Sequence, residues 1–286
     1  MIAVPNSSGT STPRFRVPPL ACDSHLHIYD PRFRMAWPSL RATPEASVAE
    51  FRLLQQRLGT TRAVVVQPAA YGIDNAVTVD ALRQLGGDVA RGVAVLHPQV
   101  TDPELRELHE AGVRGLRFSQ HDPHTAVTTA DMIEPLAHRV ADLGWHVQLH
   151  LKGDQIVEMA EVIRRLAAPV VFDHMGRIPQ PFGVRHAAYE IVRERLEAGR
   201  AWVKLSGPYL DSQTGSPRYA DVKSVAKGYV AAAPERLVWG SDWPHPTERD
   251  TKPDDAVLLD LLQEWVPDEP TRRRILVENP AMLYGF

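Results

Sequence analysis

Short apolar runs rich in Val, Leu and Ile alternate along this chain with longer stretches in which apolar residues return every three or four positions. Period-two or continuous apolar runs of this length read as strands, and the three-to-four spacing reads as helix. On that basis strands are predicted at residues 20–27, 62–67, 92–97, 113–119, 146–151, 170–174, 202–206 and 237–242. Helices are predicted at 47–58, 76–85, 103–111, 130–143, 155–166, 187–198 and 219–232, with a closing helix at 254–265. Strict alternation of the two predicts an α/β protein of the (β/α)8 TIM-barrel type. The competing architecture is a doubly wound sheet, but the chain has neither G-x-G-x-x-G nor a Walker loop, so a nucleotide site is not expected. Residues 175–186, with two prolines and two glycines, are too irregular for either element and are expected to form a loop over the barrel mouth.

In such barrels the chemistry sits at the C-terminal ends of the strands. Asp23-Ser24-His25-Leu26-His27 ends the first strand, and alternation turns His25 and His27 to one face. The other ends offer Gln67, His97, Arg117 with Ser119, His150, Asp173 with His174, Lys204 with Ser206, and Asp242. Imidazoles and a carboxylate converging on one point can hold a divalent cation, polarise a carbonyl or move a proton. Tyr209, Arg177 and His186 fall in loops from which they could reach a substrate, and His245 follows Asp242 closely in "DWPHP". His109 and His138 fall on helices and His121 and His124 in a polar loop, and all four are left outside the expected site. Trp239 and Trp243 have the parity opposite to Asp242 and are expected to pack toward the helices.

The chain has 286 residues and 44% hydrophobic residues, enough for one large core. Residues 20–286 are expected to form that single domain. Residues 1–19, rich in Ser, Thr and Pro without an apolar segment, read as a flexible arm rather than a signal peptide. A net charge of −3 predicts no nucleic-acid or membrane partner. The single cysteine, Cys22, rules out an intrachain disulfide and fits a cytoplasmic protein.

The ordered set "DSHLH", "VFDHMG", "LVWGSDWPH" and the closing "RRRILVENPAMLYGF" resembles the amidohydrolase superfamily, in particular its amidohydrolase-2 branch of lactone hydrolases and isomerases. The resemblance covers nearly the whole chain from Leu20 onward. It implies a distorted amidohydrolase barrel and a C-terminus in which a helix precedes an Asn-Pro turn and a final helical turn. It also implies that His25 and His27 either bind a metal or polarise a lactone carbonyl, that Asp242 is the base that takes a proton from water, and that His174 holds the substrate or the developing alkoxide. His150 stands where metal-dependent relatives carry a ligand, so the metal set implied is His25, His27, His150 and Asp242, holding one Zn²⁺ or Mn²⁺, with a metal-free mechanism as the alternative.

Arg117 departs from the binuclear members of that superfamily, which carry a bridging carboxylate at the end of strand four. A fixed cation there would repel two metals, so at most one is expected. A guanidinium at the mouth also suits a carboxylate or sulfonate, its other reading being a structural ion pair. Lys204 is either an anion contact or part of an internal ion pair. With Ser119, Gln67, His150, Tyr209 and His245, these residues form the expected substrate-binding set. The expectation is hydrolysis of a small carboxylated or sulfonated lactone from aromatic or sugar-acid catabolism. The alternatives are lactone isomerisation and metal-dependent decarboxylation of an anionic acid. The oligomeric state is not legible in the sequence.

Overall fold

The structure is a computed structural model and describes residues 1–37, 45–122, 124 and 126–286. Eight parallel strands follow one another around a single sheet in sequence order: β1 Cys22–Leu26, β2 Arg62–Val66, β3 Ala90–Ala94, β4 Val113–Ser119, β5 His146–His150, β6 Val170–Phe172, β7 Ala201–Leu205 and β8 Leu237–Trp239. The segment after β8 closes the ring, with Asp242 N–H donating to His25 O and His27 N–H to Trp243 O, both at 2.8 Å. Gly240 permits that approach, since a Cβ there would stand 2.7 Å from the backbone nitrogen of His25.

Each predicted strand is present, several shorter at their C-terminal ends than expected because the chain there turns to present side chains to the mouth. The helices are α1 Val48–Leu58, α2 Ala76–Leu85, α3 Asp102–Glu110, α4 Ile133–Ala141, α5 Gly153–Glu158, α6 Ala160–Arg165, α7 Ala187–Glu197, α8 Lys223–Ala232, α9 Asp255–Trp265, α10 Glu269–Arg273 and α11 Asn279–Tyr284. Reciprocal capping boxes start α1 at Ser47 with Glu50 and α3 at Thr101 with Glu104. The helix expected at 155–166 is two, broken at Met159. The Asn-Pro pair opens α11, the final helical turn expected there, which follows a π-helical stretch at Arg274–Glu278 after α10. Proline at the first helical turn gives up no intrahelical hydrogen bond, so Pro280 does not interrupt the helix.

Parity divides the strands. Ala63, Val65, Val203, Leu205 and Trp239 join the helices in the main apolar core. Cys22, Val64, Val66 and Val93 meet Tyr284 of α11 in a second cluster, and Val171, Trp202 and Val238 form a third that Leu283 covers. The lower barrel interior is therefore apolar, while the layer above it is charged. Trp243 packs on Phe51 of α1, as its parity predicted.

Residues 1–19, read from composition as an arm, lie against the barrel. Val4 is buried, Pro5 O accepts from the Trp243 indole N–H at 2.9 Å, Ser7 Oγ accepts from Arg57, and Arg14 pairs with Asp260 at 2.9 Å.

Candidate active site

The upper barrel layer begins with a buried ion cluster. Lys204 of β7 is fully buried and donates to Gln148 Oε1 of β5 at 2.7 Å, with Nζ 3.8 Å from Asp173 Oδ1. Asp173, just beyond β6, accepts from Arg117 Nε of β4 and from Gln148 Nε2, each at 3.0 Å. Burial pushes the Asp173 carboxyl up, but His25, Arg117 and Lys204 together hold it well below the usual carboxylate range. Burial pulls the Lys204 ammonium down to about 8.

On this layer stand the imidazoles. His27 Nδ1–H donates to Val66 O at 2.8 Å, which leaves Nε2 as a lone pair. His25 Nδ1 lies 3.2 Å from Asp173 Oδ1 and 3.3 Å from Lys204 Nζ. With the ring N–H directed to that carboxylate, His25 Nε2 is also a lone pair. The two Nε2 atoms are 3.3 Å apart, and Asp242 Oδ1 lies 3.5 Å from that of His25 and 3.4 Å from that of His27. His174 Nε2 is 4.0 Å from the same oxygen, its Nδ1 2.9 Å from Ser206 Oγ. Burial drives His25 well below the usual imidazole range and His174 down to about 4. Asp242 is held well below the usual carboxylate range: burial opposes this, but His174, the hydrogen bond to His27, and His25 outweigh it.

Three acceptor atoms at 3.3–3.5 Å from one another repel unless a cation or proton lies among them. Tetrahedral ligands about 2.0–2.1 Å from zinc lie at about this mutual spacing, and Val66 O and Asp173 orient the rings as outer partners of metal-bound histidines do. The donor set therefore fits one divalent cation held by His25, His27 and Asp242. Among the described residues, groupings able to take an ion are His25, His174 and Asp242, and His150, Asp173 and His174. The structure does not bring His150 to the first of these. Its Nδ1 lies 3.0 Å from Arg117 Nη2 and its Nε2 3.2 Å from Arg177 Nη1, so two guanidinium groups flank the ring.

Above these groups opens a cavity of about 360 Å³, within the range of small-molecule sites, lined among others by His27, Arg117, Ser119, His150, His174 and Asp242. Arg117 proves to be both an ion-pair partner and a cavity wall. Several other expected residues do not line the cavity. Gln67 has the parity of Val65, not Val66, and its side chain turns outward to Thr78, Gly72 O and Asp74 O. Lys204 lies beneath the site and is spent on the internal cluster. His97 lies in a separate outer cavity between α2 and α3. Tyr209 and His245 do reach the site, but through Asp242: the Tyr209 hydroxyl is 2.7 Å from Asp242 Oδ2 and 2.9 Å from His245 Nδ1.

Among the wall residues that the sequence reading missed are His121 and Arg249. His121 stacks on His150 with centroids 3.9 Å apart, and burial together with Arg117 and Arg177 pushes it down to about 3. Its position two residues beyond Ser119 was the available signal. Arg249 lies at the exposed rim, where nothing in the local pattern marks it.

An eight-stranded parallel barrel with a His-x-His on its first strand and an aspartate after its last, gathered at the C-terminal mouth, is the architecture of a metal- or proton-assisted hydrolytic enzyme. The family model described as Amidohydrolase matches residues 22–286, and the chain belongs to that family. It is 37% identical over 285 residues to a 2-pyrone-4,6-dicarboxylate hydrolase of Comamonas testosteroni, covering 96% of this chain and 93% of that protein. It is 35% identical to a 4-sulfomuconolactone hydrolase of Rhizobium radiobacter (95% and 92% covered) and 33% identical to a D-galactarolactone isomerase of Agrobacterium fabrum (97% and 94%). Among solved structures, an apo protein of Agrobacterium tumefaciens superposes with a TM-score of 0.89 at 28% identity, covering 98% of each chain. A probable 2-pyrone-4,6-dicarboxylic acid hydrolase of Acinetobacter baumannii, with citric acid bound, gives 0.78 at 26%, covering 93% of this chain and all of that one.

Proposed function

We propose that this protein hydrolyses a small lactone bearing a carboxylate or sulfonate. The observation that carries the reading is the meeting of His25 Nε2, His27 Nε2 and Asp242 Oδ1 beside a cavity whose wall is the Arg117 guanidinium. The named hydrolases among its relatives act on lactones with acidic substituents, and citric acid in the Acinetobacter protein is likewise a polycarboxylate.

Arg117 lines the cavity while its Nε stays on Asp173 and its Nη2 on His150 Nδ1, so the guanidinium is oriented before an anion arrives. Ser119, His121 and His150 line the same wall and offer hydrogen bonds to the anionic group. The opposite side of the ring, with its carbonyl, then falls over His25 and His27. A divalent ion bound there would act as a Lewis acid on the carbonyl oxygen and lower the proton affinity of water. Without it, an imidazole N–H of this pair, in the tautomer that carries its hydrogen on Nε2, would donate to the same oxygen. Asp242, ionised, takes the proton from the attacking water. The tetrahedral centre collapses with cleavage of the ring C–O bond, and the proton is passed to the leaving oxygen, with His174 beside it. The products are a carboxylate and an alcohol or enol.

The isomerase relative supports a second reading in which a substrate hydroxyl replaces water as nucleophile at the same groups. Purified protein should be analysed for bound metal and assayed on a panel of carboxylated and sulfonated lactones before and after chelation. Ring opening with uptake of water supports hydrolysis. Ring-size exchange without it supports isomerisation, and no turnover of any lactone overturns both. About one zinc or manganese per chain, with activity lost on chelation, identifies the metal-assisted route, and full activity in metal-free protein identifies the imidazole route.

A further inference from the structure

Asp242 uses its two carboxylate oxygens differently. Oδ1 faces the three imidazoles, while Oδ2 accepts the Tyr209 hydroxyl at 2.7 Å. Tyr209 follows β7 and is fixed in turn: its oxygen is 2.9 Å from His245 Nδ1, and the other ring nitrogen of His245 lies 3.2 Å from both oxygens of Asp255. His245 and Asp255 are both fully buried, and neither lines the cavity. A buried carboxylate and imidazole this far from the substrate have no contact role, and burying them costs free energy unless each is paired.

The backbone at this point is held in an uncommon conformation. Asp242 and His245 both have left-handed φ, at 63° and 55°, in residues other than glycine. The turn is tied by His245 N–H donating to Asp242 O at 2.8 Å, and Asp255, the first residue of α9, anchors the His245 ring at its far side. A carboxylate on a short side chain pivots about its Cβ–Cγ bond unless both oxygens are held.

We infer that Tyr209, His245 and Asp255 form a positioning array that fixes the Asp242 carboxylate so that Oδ1 alone faces His25, His27 and the reacting water. Asp255 is thereby a functional residue that never touches substrate. The inference deepens the hydrolytic reading and rests on it for its catalytic consequence, but the geometry it asserts can be read without turnover.

Tyr209→Phe keeps the ring packing and removes the hydroxyl alone. The expected result is a kcat lower by about tenfold or more, as misplacement of a reacting group produces, with KM and Tm nearly those of the unaltered protein. Asp255→Ala should lose kcat in the same way, and Asp255→Asn, whose amide oxygen still accepts from His245, should restore most of it. Unchanged kcat in Tyr209→Phe, or an Asp255→Ala that lowers Tm alone, overturns the array. Should the unaltered protein open no lactone, the hydrolytic reading fails by itself, and a crystal structure of Tyr209→Phe decides the array. A rotated Asp242 carboxylate supports it, and one that keeps Oδ1 on both imidazoles overturns it.

Discussion

At the residue scale, several side chains do two jobs that the sequence offers only as alternatives. Arg117 was legible as an anion contact because it ends a barrel strand, yet its Nε is committed to Asp173, a partner 56 residues away that no local pattern reveals. Arg117→Met should therefore weaken substrate binding and also strand a buried carboxylate. We expect a raised KM for an acidic lactone and a loss of about 3 kcal/mol in urea unfolding. Unchanged stability would show that Lys204 and His25 suffice for Asp173. Gln67 ends the apolar run of β2 but stands on the outward face of Ala63 and Val65, because faces alternate at every step of a strand, so its side chain meets Thr78 of α2 instead of the mouth. His146 opens β5 at the barrel base, buried against the Tyr284 ring, and burial pushes it down to about 3. The unfolded chain gains a proton as pH falls through the ordinary imidazole range while the folded chain does not, so His146 removes stability from there downward. His146→Leu should lose less Tm between pH 7 and pH 5 than the unaltered protein, and an equal loss would contradict the assignment.

At the element scale, the barrel was legible because every strand and helix carries its own period and its own stop signals. The capping boxes of α1 and α3 and the apolar runs of the strands agree with the fold they enter. What the sequence did not disclose is long-range and polar. Closure of β1 on the segment after β8 depends on Gly240, whose need appears only when His25 lies beside it. Likewise residues 1–19 have an arm's composition, but Pro5, Ser7 and Arg14 find partners on Trp243, Arg57, Asp255 and Asp260, all distant in sequence. Deleting residues 1–14 should expose the Arg57 and Trp243 donors and cost about 2 kcal/mol or more in urea unfolding. An unaltered unfolding midpoint would show that these contacts contribute nothing.

At the scale of the whole molecule, charge is sorted by depth. The barrel base is apolar, the middle layer balances Asp173 against Arg117 and Lys204, and the mouth carries the imidazoles with Asp242. No described helix is long and apolar enough to cross a membrane. The cluster at the mouth was largely legible, since four of its members stand in short recognisable phrases. Its support was not: Tyr209, His245 and Asp255 come together only when the loop after β7, the loop after β8 and α9 meet. The central claim is that Asp242 is the proton acceptor in lactone opening. It is tested most directly by the rate at which Asp242→Asn opens a carboxylated lactone that the unaltered protein consumes, with folding checked by circular dichroism. The Asp242→Asn protein should fold and turn over at least about 10²-fold more slowly, the scale of general-base catalysis. A folded Asp242→Asn protein with near-normal turnover would contradict it.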